Sequence, residues 1–429
     1  MIMSCSALDK SNSAGSTFSN FFSGMEGVEL ASMYFGYGEP DNDLDMRYFQ
    51  VTEKSLLKNL LDKNSPSGRR VTAGGKAVAM NEGEKKSFDA MRKVRLMVFF
   101  WMRELIWRVG RVHSKELKSF VEEFRPDVIM ISLNDTCYLA RECVRLNKEY
   151  GIPVCAFIGD DIYSLRRISF SPLFWIDRFI KRASHRRLIK RCEKLFVMTD
   201  TAKREFDKTF GADCALLTKS LDFDGEPEYK PAGDPVRFVY TGNLYAGRWR
   251  SLSDLGRALE RINTENKAKG GRQAELIIYS MTPMTARMKK ALDIPCVSFM
   301  GGAPSSKMPE IQNAADVLVH AESMSRRNML VVRLSFSTKL VDYMRRARCI
   351  LAIGPAEQAS IAHLAAHGAA VTVTEKDDMY LKVKRLVDDP AEAEEYAQRA
   401  WACGAEAHNR RIIQKRLYDE LYKAAGTKA

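Results

Sequence analysis

The run Val128-Ile129-Met130-Ile131-Ser132-Leu133 constrains this chain more than any other segment. Apolar residues follow one another with almost no polar alternation, which suits a strand covered on both faces in a helix-flanked parallel sheet. The same pattern recurs. In the first half, Ile2 to Cys5, Val28 to Phe35, Pro153 to Ile158 and Phe196 to Thr199 read as strands, with a helix opening at Thr17 and others at 91–124 and 136–150. Residues 222–235 form a polar, Pro/Gly-rich linker, after which the alternation restarts. Strands are expected at Val236–Thr241, Glu275–Ser280, Val297–Met300, Val317–Val319, Ile350–Ile353 and Ala370–Val373. Helices are expected near 251–268, 282–292 and 305–314, with another from Ser337 and an Ala-rich helical tail from 391. A chain of 429 residues exceeds one ordinary core. Two successive βα series predict two doubly wound α/β domains, 1–228 and 229–400, and a helix in 401–429 packing back toward the first. Residues 62–90, rich in Gly, Ser, Lys and Asn, read as a loop.

Nine cysteines contain no C-x-x-C pair and several sit in apolar runs, so free buried thiols in a reducing compartment are expected, with no zinc site and no bound metal. The start Met1-Ile2-Met3-Ser4-Cys5 does not read as a secretion signal, and no apolar run reaches the length of a membrane-spanning helix. The net charge of +13 is local. Residues 92–115 carry seven Lys/Arg against one acid, net +6, and 165–191 carry nine against one, net +8.

The segment Ser337-Thr338-Lys339-Leu340-Val341-Asp342-Tyr343 leads small hydroxyl residues into a helix. Free backbone N–H groups there suit an anion, and Lys339 adds a point charge. Thr338 and Asp342 share a helix face about 5–6 Å apart, roughly the spacing between a diphosphate and the ribose hydroxyls of a nucleotide. An ordinary capped helix fits the same residues.

Taken with its neighbours, this segment resembles the donor domain of GT-B glycosyltransferases. The likeness rests on Val239-Tyr240-Thr241-Gly242-Asn243-Leu244 with Arg248, on Phe299-Met300-Gly301 with Pro309, and on Ala315-Asp316-Val317-Leu318-Val319. It also rests on Ser337 to Tyr343 followed by Ile350 to Pro355, in the form found in sugar transferases of bacterial polysaccharide assembly. The resemblance covers 236–410 and, in outline, the first half. It implies two Rossmann-like domains facing each other across a cleft, no cofactor, and a nucleotide-diphosphate sugar as substrate. Gly242 would admit close backbone approach, Arg248 would neutralise the diphosphate, and Ser337, Thr338 and Lys339 would bind it. Asp342 would accept from the ribose or, alternatively, pair with Arg346. Asn243, Gly301, His320 and Glu322 complete the expected donor site, with a packed His320 the other reading of that residue.

Two features depart from the family pattern. Leu334 stands eight residues before Asp342, where many retaining members carry a glutamate, and no histidine follows the first-domain strand at Gly159-Asp160-Asp161. Asp160 and Asp161 are candidate bases for an acceptor hydroxyl, or a turn and cap; Asp9 is another candidate base. Ser13, Gly15, Ser16, Asn134 and Asp135 are expected on acceptor-side loops.

On a helical wheel over 92–112, Val94, Val98, Trp101, Met102, Leu105, Val109 and Val112 gather on the side expected to pack inward. The opposite side holds Lys93, Phe100, Arg103, Trp107 and Arg111. Phe174, Trp175 and Arg178 repeat the aromatic and basic mixture. Such a face suits an anionic membrane, or else covers a core beside a solvated basic edge. No nucleic-acid motif accompanies the charge, so nucleic acid is not expected as a partner. The expectation is a cytoplasmic glycosyltransferase, peripheral on the inner membrane face, acting on a lipid-linked or growing glycan acceptor. A nucleotide-sugar epimerase and an inactive sugar-nucleotide-binding scaffold are the alternatives.

Overall fold

The computed structural model describes residues 1–10, 13–72 and 97–426, with only the backbone for residues 13, 14, 97 and 98. The chain divides into two compact units, 1–198 with 202–218 and 414–429, and 199–201 with 219–413.

Among the described residues the first unit has an eight-stranded sheet. Its strands are β1 (Ile2–Ser4), β2 (Leu30–Phe35), β3 (Met46–Val51), β4 (Gly68–Val71), β5 (Ile129–Ser132), β6 (Val154–Ile158), β7 (Cys192–Val197) and β8 (Ala215–Leu216). Their order is β4-β3-β2-β1-β5-β6-β7-β8, parallel except for the antiparallel β3–β4 pair. The second unit has β9 (Val236–Thr241), β10 (Ala274–Tyr279), β11 (Val297–Gly301), β12 (Val317–Ala321), β13 (Cys349–Ile353) and β14 (Val371–Val373). These pair in parallel in the order β11-β10-β9-β12-β13-β14. Strand order reverses between β1 and β5 and between β9 and β12, and ligands of such sheets bind beyond the strand ends at these switch points.

Burial explains the pattern. Every residue of β12 and β13 is buried, so both sheet faces demand apolar side chains. The helix expected over 91–124 is two helices, Met97–Val109 and Lys115–Phe124, and residues 91–96 lie outside the described residues. Gly110 marks the break: a Cβ there would stand 2.8 Å from the Ile106 carbonyl oxygen and 3.0 Å from Leu56. Ser114 then caps the second helix by accepting from the Leu117 N–H. Within the expected loop at 62–90, β4 forms an edge strand, and residues 73–90 lie outside the described residues.

Segment 219–235 belongs to the second unit and is tied to it. Lys230 pairs with Asp316 at 2.9 Å, and Arg348 donates to the Glu228 carbonyl. The last helix, Arg410–Gly426, serves the first unit from Gln414 onward, where Gln414 donates to the Ser23 carbonyl and Glu420 pairs with Lys194. All nine cysteines are free. Among the described residues, no helix is long and apolar enough to cross a membrane.

Candidate functional site

The second unit's switch point gathers charge. After β9 the chain turns through Gly242, where a Cβ would stand 2.5 Å from the Tyr240 hydroxyl, which itself donates to the Asn243 carbonyl. Gly247 has φ +82°, and a Cβ there would meet Asn328 at 2.6 Å and Ser323 at 2.8 Å. That close approach sets Arg248, the first residue of helix Arg248–Lys267, against the end of β12. Arg248 forks onto Glu322, Nε to Oε2 at 3.0 Å and Nη2 to Oε1 at 2.8 Å, and Nη1 donates to Asn243 Oδ1 at 2.7 Å. Ser251 fixes the Glu322 backbone by donating to its carbonyl.

His320, on β12, is buried with its Nε2 3.8 Å from Glu322 and without a hydrogen bond. Burial, helped by the charges of Arg248 and Lys339, lowers its pKa to about 4 against the opposing pull of Glu322, so the imidazole is neutral.

The helix expected from Ser337 is seven residues long, Lys339–Arg345, and Thr338 precedes it without a side-chain cap bond. Ser337 donates its N–H to Ser360 Oγ. Lys339 is exposed along its length, but its ammonium turns inward to donate to the Thr241 carbonyl at 2.9 Å. Desolvation of that buried end, then the charge of Arg248, lowers its pKa. Asp342 is held by Lys219, 2.7 Å to each oxygen, a residue for which the sequence carried no signal; Arg346 donates to Gln312 instead. Tyr343 ties this helix to β9 through Thr241 Oγ1 at 2.9 Å. Leu334 is buried, so the place of the family's glutamate is a packing position.

A cavity of about 800 Å³ opens at the carboxyl ends of β10 and β11, lined in part by Ser280, Met281, Thr282, Phe299 and Gly302. Thr282 accepts from the Leu244 N–H, which joins the cavity rim to the loop that carries Asn243 and Arg248. Gly301, with φ +76°, ends β11 beside it. Sequence patterning did not single out the cavity's hydroxyl residues.

In the first unit the candidates separate. Asp161 is fully buried, receives the Ser164 N–H and hydroxyl, and pairs with Arg178 at 3.3 Å. Both its oxygens are engaged, so it braces the loop. Asp160 is exposed. Asp9 bridges to Asp41, and Gly15 lies so close that a Cβ would meet the Asp9 backbone at 2.2 Å. Ser16 is exposed; the Ser13 side chain lies outside the described residues. Asn134 donates to Cys5 Sγ, and Asp135 pairs with Lys181 at 3.1 Å.

The helical-wheel expectation holds for Val112, which is buried, and is reversed at Arg103 and Trp107 and at Met102, Leu105 and Val109. Trp107 is 1% exposed, stacked on Tyr138 at 4.5 Å with its indole N–H donated to Glu53. Arg103 turns inward with it, pairing with Glu53 and lying over the Tyr138 ring. A buried carboxylate draws both polar groups to the core side. Met102, Leu105 and Val109, expected inside, are exposed, as are Phe100 and Arg111. Arg178 is buried on Asp161, while Phe174 and Trp175 are half-buried.

No protein-family model matches the chain, and no curated protein matches it by sequence. Solved structures do match. Anabaena HepE in complex with UDP is 12% identical with a TM-score of 0.62, covering 98% of this chain and 99% of that one. Sucrose-phosphate synthase from Thermosynechococcus elongatus is 12% identical with a TM-score of 0.60, covering 99% of each. Staphylococcus aureus TarM is 11% identical with a TM-score of 0.50, and the match spans 71% of this chain but only 57% of TarM. These similar proteins are glycosyltransferases of the GT-B fold, and the present chain has that fold.

Proposed function

We propose that the chain is a glycosyltransferase that takes a sugar from a nucleotide-diphosphate donor held by its second unit. The observation that carries this reading is that Arg248, forked onto the buried Glu322, and the inward-turned ammonium of Lys339 stand close enough to repel one another, next to the cavity of about 800 Å³. A diphosphate would complete the charge balance there. The guanidinium would stabilise the leaving nucleotide diphosphate as its charge develops. The nucleoside would occupy the cavity, and Asp342, oriented by Lys219, would accept from the ribose. No metal is required in this reading. Similar solved proteins hold UDP, which makes UDP-sugars the first donors to try. For the acceptor we propose Asp160, which is exposed, or Asp9 as the proton-accepting group.

We further propose a lipid-linked or growing glycan acceptor met at an anionic membrane surface on the cytoplasmic side. The support is a continuous kind of surface on two helices of the first unit. Helix Met97–Val109 exposes Phe99, Phe100, Met102, Leu105 and Val109. Helix Pro172–Ile189 and its approach expose Phe170 (97%), Leu173, Ile176, Phe179 and Ile180. Trp101 joins the two helices by donating to Asp177. Arg108, Arg111, Arg186, Arg187 and Lys190 are exposed beside these apolar residues, and each basic residue near an anionic surface contributes about 1 kcal/mol.

The test is incubation with a panel of nucleotide sugars, with and without membrane lipid extract. Donor-dependent transfer to lipid supports the reading; epimer formation would reassign the chain as an epimerase, and binding without turnover as a scaffold. For the membrane, changing Leu105, Phe170, Phe179 and Ile180 to Ser should abolish binding to anionic liposomes; unchanged binding removes that part.

A further inference from the structure

Outside the donor site, the second unit brings together a soft-ligand cluster that the sequence gave no spacing motif for. His363 lies on helix Ala359–Ala366, Cys403 on helix Pro390–Ala407, and His408 directly after that helix. His363 Nε2 is 3.0 Å from His408 Nε2 and 3.7 Å from Cys403 Sγ, and all three donor atoms lie within 4.8 Å of one another. Bond lengths of about 2.0–2.1 Å to nitrogen and about 2.3 Å to sulfur put the edges of a tetrahedral zinc site at roughly 3.3–3.6 Å. The two separations from His363 lie on either side of that range, and the remaining one is no longer than 4.8 Å.

We propose that His363 Nε2, Cys403 Sγ and His408 Nε2 form a structural site for a zinc-type divalent ion, with water in the fourth position. Imidazole and thiolate together select this class of metal over magnesium or calcium. Cys403 and His408 are almost completely buried, and Phe336 closes the surroundings, stacked on His408 at 5.4 Å and edge-on to His363 at 5.3 Å. His408 Nδ1 makes no hydrogen bond of normal geometry, although the Lys219 backbone is near enough to influence it. On binding, the Cys403 S–H bond breaks, the sulfur keeps the electron pair for the metal, and the proton leaves to solvent. No oxidant or reductant is involved.

The position gives the site a task. Ser360, on the same helix as His363, accepts the Ser337 N–H, and Phe336 is the adjacent residue. On the other side, the His408 carbonyl accepts from Leu221 and the Leu221 carbonyl accepts from Arg410. A metal would therefore join two segments of the second unit, one of which, through Ser360, holds the Ser337 backbone that leads into Lys339.

The experiment uses the full chain, stripped with chelator and titrated with Co²⁺ alone. One equivalent should bind, with a thiolate-to-cobalt charge-transfer band and tetrahedral d–d bands, and equimolar Zn²⁺ should bleach both. Cys403→Ser should lose the charge-transfer band, and His363→Asn should weaken affinity about 10–100-fold or more. In case these variants fail to fold, X-ray absorption on the zinc-loaded natural chain should count one sulfur among nitrogen or oxygen ligands. Absence of stoichiometric uptake, a band that survives Cys403→Ser, or a zinc shell with no sulfur or several would overturn the proposal. The first of these would leave a His363–His408 hydrogen bond as the whole arrangement. Sugar transfer is not the readout, so the outcome is independent of the proposed activity.

Discussion

Each unit carries a buried arginine–carboxylate pair at the carboxyl end of a parallel strand, and the two pairs do different things. In the first unit Arg178 meets Asp161 just beyond β6, and its guanidinium also donates to the Ser164 carbonyl at 2.7 Å. Arg167 reinforces the same loop through the Asp161 carbonyl, and Asp135 lies 3.9 Å from Arg178. Lys181 shares Asp135 at 3.1 Å and pairs with Asp177 at 2.8 Å, so Arg167, Arg178 and Lys181 face three aspartates. In the second unit Arg248 meets Glu322 just beyond β12, the next cation, Lys339, donates its ammonium to the Thr241 carbonyl and shares the charge of Asp342 with Lys219, and the adjacent His320 is neutral. Arg248, Lys219 and Lys339 thus face two carboxylates, Glu322 and Asp342, which leaves one positive charge in excess. In the proposed reading, charge balance, more than burial or geometry, separates a brace from a binding site.

The comparison predicts opposite phenotypes. The largest effect is expected from Arg178→Ala, which strands Asp161 as an unpaired buried carboxylate. Urea unfolding should show a loss of about 3–5 kcal/mol. Donor affinity of the molecules that remain folded should be unchanged. Next comes Arg248→Lys, which keeps a positive charge for Glu322 but loses the planar fork. Stability should hold to within about 1 kcal/mol, while the transfer rate should fall about 10²–10³-fold, as for loss of one transition-state donor. If Arg248→Lys unfolds the protein and Arg178→Ala spares its stability, the assignment of brace and site is reversed.

The strands were the most legible part of the chain, because burial on both sheet faces leaves apolar runs that need no context. The edge strand β4 and its neighbour β3 were not legible, since Met46-Arg47-Tyr48-Phe49 and Gly68-Arg69-Arg70-Val71 interrupt the apolar run with charge. Arg248, Glu322 and Lys339 were legible as types at strand ends. Their fork and their imbalance were not, because these depend on Gly247 bringing two loops within contact. The helical wheel over 92–112 failed for a related reason. Periodicity defines two faces but not which one turns inward, and here Glu53, from a distant segment, decided it by taking Arg103 and Trp107. The His363, Cys403 and His408 cluster lay beyond sequence reading because its members are 40 and 5 residues apart on different elements.

The smallest effect concerns protons and sharpens the same contrast. His185 in the first unit and His320 in the second are both buried, and burial lowers each pKa to about 4. An unfolded histidine titrates near 6.5, so between about pH 6.5 and pH 4 the unfolded chain binds more protons. Stability from each group is therefore present above that window and is lost as pH falls through it, by up to about 1.4 kcal/mol per pH unit. His320→Gln and His185→Gln should each flatten acid unfolding to a similar degree in the free protein. UDP should separate them. A diphosphate beside Arg248 and Lys339 would favour the protonated form of His320, raising its pKa toward the unfolded value. Saturating UDP should then shrink the difference between the natural chain and His320→Gln, while leaving the difference for His185→Gln unchanged. Acid titrations followed by tryptophan fluorescence, with and without UDP, would measure both differences. An equal response of the two variants to UDP would mean that the anion does not bind at the unbalanced pair.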